Sequence, residues 1–540
     1  MSTPAPLAIF SESSPVREAL AMRAGRAARQ NWLILGAGMA MNAALLWLAS
    51  HADGAMGQLL AALFFAFANN MLFALMHEAV HGNFDPSPAR NRLGGSLAAA
   101  FFPTSFTLQC SAHLTHHRNN RSELERFDYI GPGESIPLKT AQWFSILTGL
   151  YWLGIPFFLV IYVLFAELVP WKKLVPKDSG FTQQTSAGEF MESLVRLPVW
   201  RVRAEFLFSL AVQLALAVML DLSLSGWLLC YAAFALGWSS LQYADHAFSR
   251  LDRVEGSWNL RVNRFTRTMF LNYHYHLEHH RNPNCRWQDL PASKQQSGEP
   301  ARPFLSMLLL MWKGPRLLPG AHQGAARQRV LDASVLTAHI LIFGAAFALI
   351  YGLASHDFTA RTSLYDVALP LDALAPFWPI WGLAYITITP LLLATAILLR
   401  TPDNSLPFLG ALIFQLIVAS VCFLLFPVTP PVPPAVPSGS FAASVFHIAD
   451  AMNLEGNSVP SLHVSLALSC AWAAAARLKP VATAAMWLWA LAIALSTWLT
   501  WQHWLVDIVA GALLAMIAMG VVRPFLARQL RQIEAEIIRD

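Results

Sequence analysis

Long apolar runs recur along the chain and alternate with short polar segments. About 20 apolar residues suffice for a helix that crosses a bilayer, and most of these runs approach that length. In the first half they lie at about 32–50, 55–75, 142–168, 203–222 and 224–244. In the second half they lie at about 333–354, 378–399, 406–426, 460–477, 480–499 and 504–523. The pattern predicts an all-α polytopic membrane protein.

Basic residues beside the runs predict the orientation of the spans. Four arginines between Arg17 and Arg29 precede the first run, which places the N-terminus in the cytoplasm. The run at 142–168 contains Gly154 and Pro156 and could be one tilted span or a re-entrant hairpin. Because the next loop, 169–202, is also cationic, we expect 142–168 to be re-entrant. Four crossings then precede a set of six, and both chain ends are cytoplasmic.

Polar and proline-rich segments divide the chain into five predicted parts. They are a cytoplasmic N-terminal segment at 1–30, a four-span domain at 31–290, a linker with an interfacial segment at 291–332, a six-span bundle at 333–525 and a cytoplasmic tail at 526–540.

Composition agrees with a membrane location. Hydrophobic residues make up 56% of the chain and charged residues 13%, whereas a soluble protein carries roughly 25% charged residues. We expect an integral protein of a bacterial inner membrane. Basic residues next to spans explain the net charge of +5, and without a nucleic-acid motif no nucleic-acid partner is expected. The five cysteines lack paired spacing, so we expect neither a disulfide framework nor a thiolate metal site.

Nine histidines of the first half carry the candidate chemistry. They are His77 and His81; His113, His116 and His117; His246; and His276, His279 and His280. Within each cluster the spacings of three or four place the imidazoles on one face of a helix. One metal rarely takes more than six ligands, so nine candidates suggest two metals, and neutral imidazole ligands suit iron. Asp245, Asn272 and His274 are candidates for hydrogen-bonding these ligands.

A zinc-protease site and ordinary core packing account less well for these histidines. His77-Glu78-x-x-His81 also matches the zinc-protease signature, but such a protease does not use the further clustered histidines. Isolated histidines are often core residues, as expected for His51, His322 and His339. Three clusters beside apolar runs do not fit that pattern.

At these residues the sequence resembles the integral-membrane fatty acid desaturase and hydroxylase superfamily, over about residues 50–290. The resemblance implies that the eight box histidines, with His246 as an additional one, bind two iron ions. It also implies an O2-dependent attack on a C–H bond of a lipid acyl chain. Desaturation and hydroxylation use the same ligands, and the sequence leaves the choice open.

The expected reaction needs electrons from another protein. The chain contains no flavin fingerprint, no cysteine-ligated iron–sulfur pattern and no haem-binding cytochrome segment. The expected partners are therefore a lipid substrate and a separate ferredoxin or cytochrome with its reductase.

A second constellation lies in the C-terminal half. His463 follows Pro460-Ser461 at the start of an apolar run, and His503 lies one helical turn before Asp507. An aspartate at this spacing can orient the imidazole for attack. By the predicted topology, His463 and His503 lie at the outer face. Two histidines with one carboxylate suit phosphoryl transfer, with one histidine as nucleophile and the other as acid. The alternative is a pair of interfacial histidines that cap helices.

These residues resemble the type 2 phosphatidic acid phosphatase superfamily, over about 330–525. Residues Leu371 to Phe377, Tyr385 and the prolines after Phe426 look like its inositol phosphorylceramide synthase-like branch. The resemblance implies that His503 is the nucleophile, Asp507 its orienting partner and His463 the acid or base.

The last family motif departs from its usual form, because Thr497 stands where an arginine is expected and the basic first motif is missing. Arginine is the natural bidentate phosphate ligand. Arg361 and His356 are candidate replacements, and Ser461 and Ser496 are further candidates for phosphate contact.

The sequence thus predicts a bifunctional lipid-modifying enzyme, with a cytoplasmic di-iron desaturase or hydroxylase followed by a lipid phosphatase or headgroup transferase at the opposite membrane face. The alternative is that only the iron domain catalyses, and that the C-terminal half is a structural or lipid-binding module.

Overall fold

Helices make up most of the fold, as predicted, with four strands of two or three residues. The computed structural model describes residues 14–168, 194, 196–319, 324–356, 364–436, 439–453 and 458–539. These residues form two units. The first contains the described residues of Met1–Ala52, Gly57–Arg126 and Ser145–Phe304, and the second contains those of Asp53–Met56, Phe127–Phe144 and Leu305–Asp540.

The elements up to Met311 follow in chain order. The helices are α1 (Ser14–His51), α2 (Ala55–Val80), α3 (Pro88–Ala100), α4 (Phe106–Asn119), α5 (Ile136–Leu147), α6 (Leu150–Phe165), α7 (Val199–Met219), α8 (Leu224–Ala244), α9 (Arg264–Met269), α10 (His276–Arg281), α11 (Leu290–Ser297) and α12 (Phe304–Met311). The strands in this part are β1 (Tyr129–Ile130), β2 (Asn259–Arg261) and β3 (Ala301–Pro303). Strands β2 and β3 pair in parallel, which keeps the chain up to Pro303 with the first unit.

The elements after Met311 complete the second unit. They are β4 (Arg316–Leu317), α13 (Ala325–His356), α14 (Gly382–Tyr385), α15 (Ile388–Leu398), α16 (Pro402–Leu425), α17 (Phe441–Ala451), α18 (Leu462–Ala475), α19 (Pro480–Leu499), α20 (Leu505–Ile517) and α21 (Arg523–Arg539). A π-helical turn, Ala518–Val522, joins α20 to α21. The predicted tail is therefore helical in its described part.

Within the described residues, nine helices are long and apolar enough to cross a membrane. Four of them, α1, α2, α7 and α8, coincide with the four predicted crossings of the first half. In the second half only five segments qualify, because α18 has 14 residues where the apolar run predicted a span at 460–477. The chain is an integral membrane protein, and the count of four plus six spans stays a prediction.

The run at 142–168 is divided between α5 and α6, which meet at an angle of 92°. Gly149 lies between them with a φ of 79°, in the left-handed region that favours glycine. A Cβ there would lie 2.7 Å from the backbone nitrogen of Leu236 on α8. The bend is thus at Gly149, while α6 continues through Gly154 and Pro156. Such a bend fits a broken span or the predicted re-entrant segment.

Each unit has its own apolar core. In the first, Phe65, Phe102 and Phe234 are buried with Tyr231 and Trp238. In the second, the core lies between α13, α15, α16, α18 and α19. Large apolar side chains also point outward, such as Val218, which is 81% exposed. An outward apolar surface is what contact with lipid requires.

One segment of the N-terminal half joins the second unit, which the sequence did not predict. Strand β1 pairs in parallel with β4. The indole of Trp143 donates a hydrogen bond of 2.8 Å to the carbonyl oxygen of Met311. The predicted interfacial segment becomes α12, whose Leu305 is 76% exposed while Met311 is buried.

Candidate metal centre and histidine–aspartate site

Helix ends position the nine predicted imidazoles of the first unit. His77 lies in the last turn of α2, and His81 extends it because its backbone N–H bonds to the His77 carbonyl oxygen. Helix α4 carries its cluster in its C-terminal half, after Ser105 caps the N-terminus. Helix α10 carries the third cluster, and His246 follows the end of α8.

The structure brings all nine together in two groups. The first contains His77, His81, His113, His117 and His279; the second contains His116, His246, His276 and His280. Within each group the candidate ligand atoms lie within 4.8 Å of one another. The groups adjoin, since the rings of His117 and His280 have centroids 4.5 Å apart. The second and third boxes thus contribute to both potential metal sites, and the first box contributes to one of them.

The spacing of the nitrogens fits metal ligation. Nε2 of His113 lies 2.9 Å from Nε2 of His81 and 2.9 Å from Nε2 of His117. Nε2 of His117 lies 3.0 Å from Nε2 of His279. Two nitrogens at right angles around an ion, each at about 2.1 Å, are separated by about 3.0 Å. The donor set is all imidazole, which suits iron, copper or zinc, so the residues fit the predicted iron ions.

Electrostatics keep most of these rings neutral. Burial, together with the nearby His116, lowers the pKa of His81 to about 4 and that of His117 to about 3. Burial also acts to lower the pKa of His116, but the Glu125 carboxylate raises it above its ordinary value. Neutral imidazole is the form that binds a metal. Burial also raises the pKa of the nearby Asp245 carboxyl group to about 8.

Polar groups around the rings hold several of them in place. Nδ1 of His116 lies 3.1 Å from Oε1 of Glu125. Nδ1 of His246 lies 3.0 Å from the carbonyl oxygen of Gly256, and the Asn120 amide lies 3.4 Å from Nδ1 of His280. Such contacts fix which nitrogen faces the metal. The sequence did not point to Glu125, Asn120 or Gly256.

The three predicted supporting residues differ in position. The Asp245 carboxylate lies 3.6 Å from Nδ1 of His276, just beyond hydrogen-bond distance. The Asn272 side chain instead contacts Arg267 and the Trp287 carbonyl oxygen, and the ring of His274 stacks on Tyr275.

Between Asn272 and His274 in the chain, Tyr273 is the residue that reaches the imidazoles. The centroid of its ring lies 5.0 Å from that of His77 and 4.8 Å from that of His276. The sequence did not single it out.

Glu125→Gln removes the carboxylate charge beside His116 but keeps the size and shape of the side chain at position 125. We expect the affinity of the protein for iron to fall about 10- to 100-fold. The measurement is iron content after dialysis against increasing chelator. Glu123→Gln is the matched control, since Glu123 is two residues away and its side chain is 86% exposed. Equal iron loss in both variants would contradict a specific role for Glu125.

We expect acidification to destabilise the metal-free protein. The pKa values of His81 and His117 in the folded state, about 4 and about 3, lie below their ordinary value of 6.5. Below pH 6.5 the unfolded chain therefore binds more protons, and the free energy of unfolding falls with pH. His116 and Asp245, whose pKa values are raised, oppose this trend. The histidines that gain protons on unfolding are the larger set, because burial also lowers the pKa values of His113, His246, His276, His279 and His280.

The measurement is the thermal unfolding midpoint of chelator-treated protein between about pH 7.5 and about pH 5. The midpoint should fall as pH falls, with a shallower slope in a His81→Gln/His117→Gln variant. A midpoint that rises on acidification would contradict the argument.

In the second unit, the loop between α19 and α20 positions His503 and Asp507. Nδ1 of His503 lies 3.2 Å from Oδ2 of Asp507, which also accepts a hydrogen bond from the Trp504 backbone. Nε2 of His503 is buried and has no hydrogen-bond partner within the described residues. The pair therefore presents one oriented imidazole nitrogen.

His463 lies at the same end of the bundle. The backbone N–H of Ser461 donates to the Asp507 carbonyl oxygen, which ties the start of α18 to the start of α20. The rings of His463 and His503 have centroids 6.3 Å apart. Tyr385 stacks on His463 at 4.0 Å. The three predicted catalytic residues thus share one site, in which His503 and Asp507 are buried and His463 is partly buried.

Of the predicted phosphate contacts, the structure describes the side chains of two, Ser461 and Ser496. The Ser461 hydroxyl caps α18 by accepting from the Val464 backbone. The Ser496 hydroxyl donates to the Ile493 carbonyl oxygen of its own helix. Arg361 lies outside the described residues, and the side chain of His356 is likewise not described.

Lysine and arginine are sparse in the sequence segments around His463 and His503. The sequence contains only Arg361 and Arg400 between residues 357 and 476 and no lysine or arginine between 480 and 522. Arg400 follows α15, about 18 Å along the helix axis from its start. By contrast, the buried carboxylate of Asp372 accepts hydrogen bonds from the Trp498 indole and the Leu505 backbone. Asp372 thereby anchors both sides of the His503 loop.

Fold and sites together define a helical integral membrane protein with a histidine-rich candidate metal centre in one unit and a histidine–aspartate site in the other. Comparison with family models identifies both units. Residues 53–303 match the model described as fatty acid desaturase, and residues 376–521 match the model described as PAP2 superfamily. The chain is thus a fusion of a fatty acid desaturase domain with a PAP2 superfamily domain, and the predicted resemblance is confirmed. No significant match was found among curated proteins or solved structures.

Proposed function

We propose that the first unit desaturates or hydroxylates a lipid acyl chain in an O2-dependent reaction. The observation that carries this proposal is the convergence of nine imidazoles in two adjoining groups. Two irons held there would supply the oxygen activation that an unreactive C–H bond requires. The five-histidine group and the four-histidine group would each hold one ion, and His117 and His280 meet at the boundary between the groups.

The chain's own residues fix the ligands and keep water away. Glu125 and the Gly256 carbonyl orient rings of the second group, and Asp245 lies beside His276. Buried aromatic side chains, among them Phe73 and Tyr273, lie against His77. Such packing supports a dry site in which an acyl chain can be held in one orientation. The electrons come from a separate ferredoxin or cytochrome with its reductase.

For the second unit we propose transfer or hydrolysis of a lipid phospho-headgroup. Nε2 of His503 attacks phosphorus, and the P–O bond to the leaving group breaks. His463 gives its proton to the leaving oxygen, and Asp507 stabilises the charge that develops on the His503 ring. Water or an acceptor alcohol then gives its proton to His463 and attacks the phosphorus of the phosphohistidine, and the P–N bond breaks and releases His503. The unpartnered Nε2 of His503 and the nearby His463 support these roles.

The two reactions are proposed to take place on opposite membrane faces, with both chain ends in the cytoplasm of a bacterial cell. The support is the distribution of basic residues. Arg400, Arg477, Lys479 and Arg523 all lie at the loops predicted to be inside, whereas the loops that flank His463 and His503 contain almost none.

A second function for the C-terminal unit is a non-catalytic lipid-binding or structural module. The shortage of basic residues around His463 and His503 favours it, because a phosphate dianion needs a cationic clamp. Purified protein supplied with phospholipid, O2 and a reduced ferredoxin distinguishes the two. Mass spectrometry should detect both an altered acyl chain and a changed headgroup if the chain is bifunctional, and only the former if it is not.

A further inference from the structure

A cavity of about 310 Å³ lies within the second unit, between helices α13, α15, α16 and α18. Most of its walls are leucine, isoleucine and phenylalanine side chains. Among the described residues that line it, none carries a formal charge, apart from whatever proton its two histidines hold. Three of the four helices, α13, α15 and α16, belong to candidate membrane spans. The cavity therefore lies at membrane depth and offers mainly apolar contact along its length.

The two ends of the cavity differ. At one end lie His463 and Met452, beside the proposed catalytic site. At the other end lie His339 and Ser405. His339 is fixed there, because its Nδ1 lies 3.2 Å from the Ser405 hydroxyl and its Nε2 lies 2.8 Å from the Trp312 carbonyl oxygen. His339 and Ser405 thus form a fixed polar pair near this end of the cavity, with Leu336 one helical turn beyond them.

The distance between the two ends of the cavity is close to the length of one lipid acyl chain. Along α13 the lining runs from Leu336, one turn beyond His339, to Tyr351, which corresponds to about 22 Å at 1.5 Å per residue. One leaflet of the hydrocarbon core is about 15 Å thick. A single extended acyl chain of common membrane length therefore matches the cavity, while two chains side by side do not match its volume.

We propose that this cavity binds one acyl chain of the lipid on which the His463–His503 site acts, and that the His339–Ser405 pair limits the length of that chain. The lipid phosphate then lies at the His463 end. This proposal rests on the role proposed above for His463 and His503, and it adds the chain-length selectivity of that site.

Gly344 offers a direct test. It lines the cavity, and a Cβ added to it meets no atom within 4 Å. Gly344 lies about 10 Å along α13 from Tyr351. A leucine at this position fills cavity space without displacing other protein atoms. Gly352 is the matched control, since it lies on the same helix, is not part of the lining, and its added Cβ also meets open space.

The experiment measures lipid retention by native mass spectrometry in the full-length His503→Ala protein. The probes are lysophosphatidylethanolamine with a palmitoyl or an octanoyl chain. We expect Gly344→Leu to lower palmitoyl retention at least about tenfold and to spare octanoyl retention. Gly352→Leu should leave both unchanged.

The outcomes separate the two proposals. Equal effects of Gly344→Leu and Gly352→Leu, or parallel loss of both probes, would overturn the acyl-chain site and indicate nonselective membrane lipid. Since retention is read in a variant that lacks His503, it does not depend on turnover. If lipid retention shows the expected chain-length selectivity but the unmodified protein turns over no headgroup, only the phosphotransfer proposal is contradicted.

Discussion

Replacing His116 and His279 together with alanine is expected to leave the purified protein without bound iron and without acyl-chain oxidation. His279 belongs to the five-histidine group and His116 to the four-histidine group. The double substitution therefore removes one candidate ligand from each site. Loss of a residue that only supports a ligand costs about 10- to 100-fold in affinity or activity. Loss of a ligand from each site should cost more than about 100-fold.

The control for that double variant is His51→Ala. His51 is an exposed histidine of the same unit, at the end of α1, and stacks only on Trp47. It should retain iron and activity. Iron content is measured by elemental mass spectrometry, and acyl-chain oxidation by lipid mass spectrometry. Full iron content in the double variant would show that the two groups do not hold the metal.

His503→Ala is the second substitution with a large expected effect, and it should abolish headgroup turnover while sparing iron content. Removal of a nucleophile from a histidine- or serine-based catalytic group typically costs 10⁴-fold or more, so a loss of about 10⁴-fold is expected. Asp507→Asn should also lower the rate strongly, because it removes the carboxylate that orients Nδ1 of His503.

The matched control is His447→Ala, since His447 is an exposed histidine on α17 of the same unit. It should turn over headgroups at the unmodified rate. Headgroup release or transfer is followed with a radiolabelled phospholipid. Unchanged turnover in His503→Ala would favour the non-catalytic role of the C-terminal unit, for which the scarcity of basic residues is the physical reason.

Most of the helices could be predicted from the sequence, because hydropathy reports directly on helices that must satisfy their backbone inside lipid. The bend at Gly149 could not. Gly154 and Pro156 were the visible helix breakers, yet the close approach of the Leu236 backbone selects Gly149 instead. The pairing of β1 with β4 could not be predicted either, because two-residue strands are too short to show a periodic pattern in the sequence.

The imidazole clusters could be predicted because spacings of three and four report a shared helix face before any fold is known. Contacts across loops carry no such signal. Glu125 reaches His116 only because the chain turns back after α4. Asn272 and His274 were proposed for their sequence position, whereas Tyr273 between them contacts the rings of His77 and His276.

The central claim is that one chain carries two separable lipid reactions. A single assay tests it, in which the unmodified protein, the His116→Ala/His279→Ala variant and the His503→Ala variant each receive phospholipid, O2 and reduced ferredoxin, and the products are resolved by mass spectrometry. The prediction is that the first variant loses only the acyl-chain product and the second only the headgroup product. Loss of both products together in either folded variant, or a headgroup product that is never formed, would contradict it.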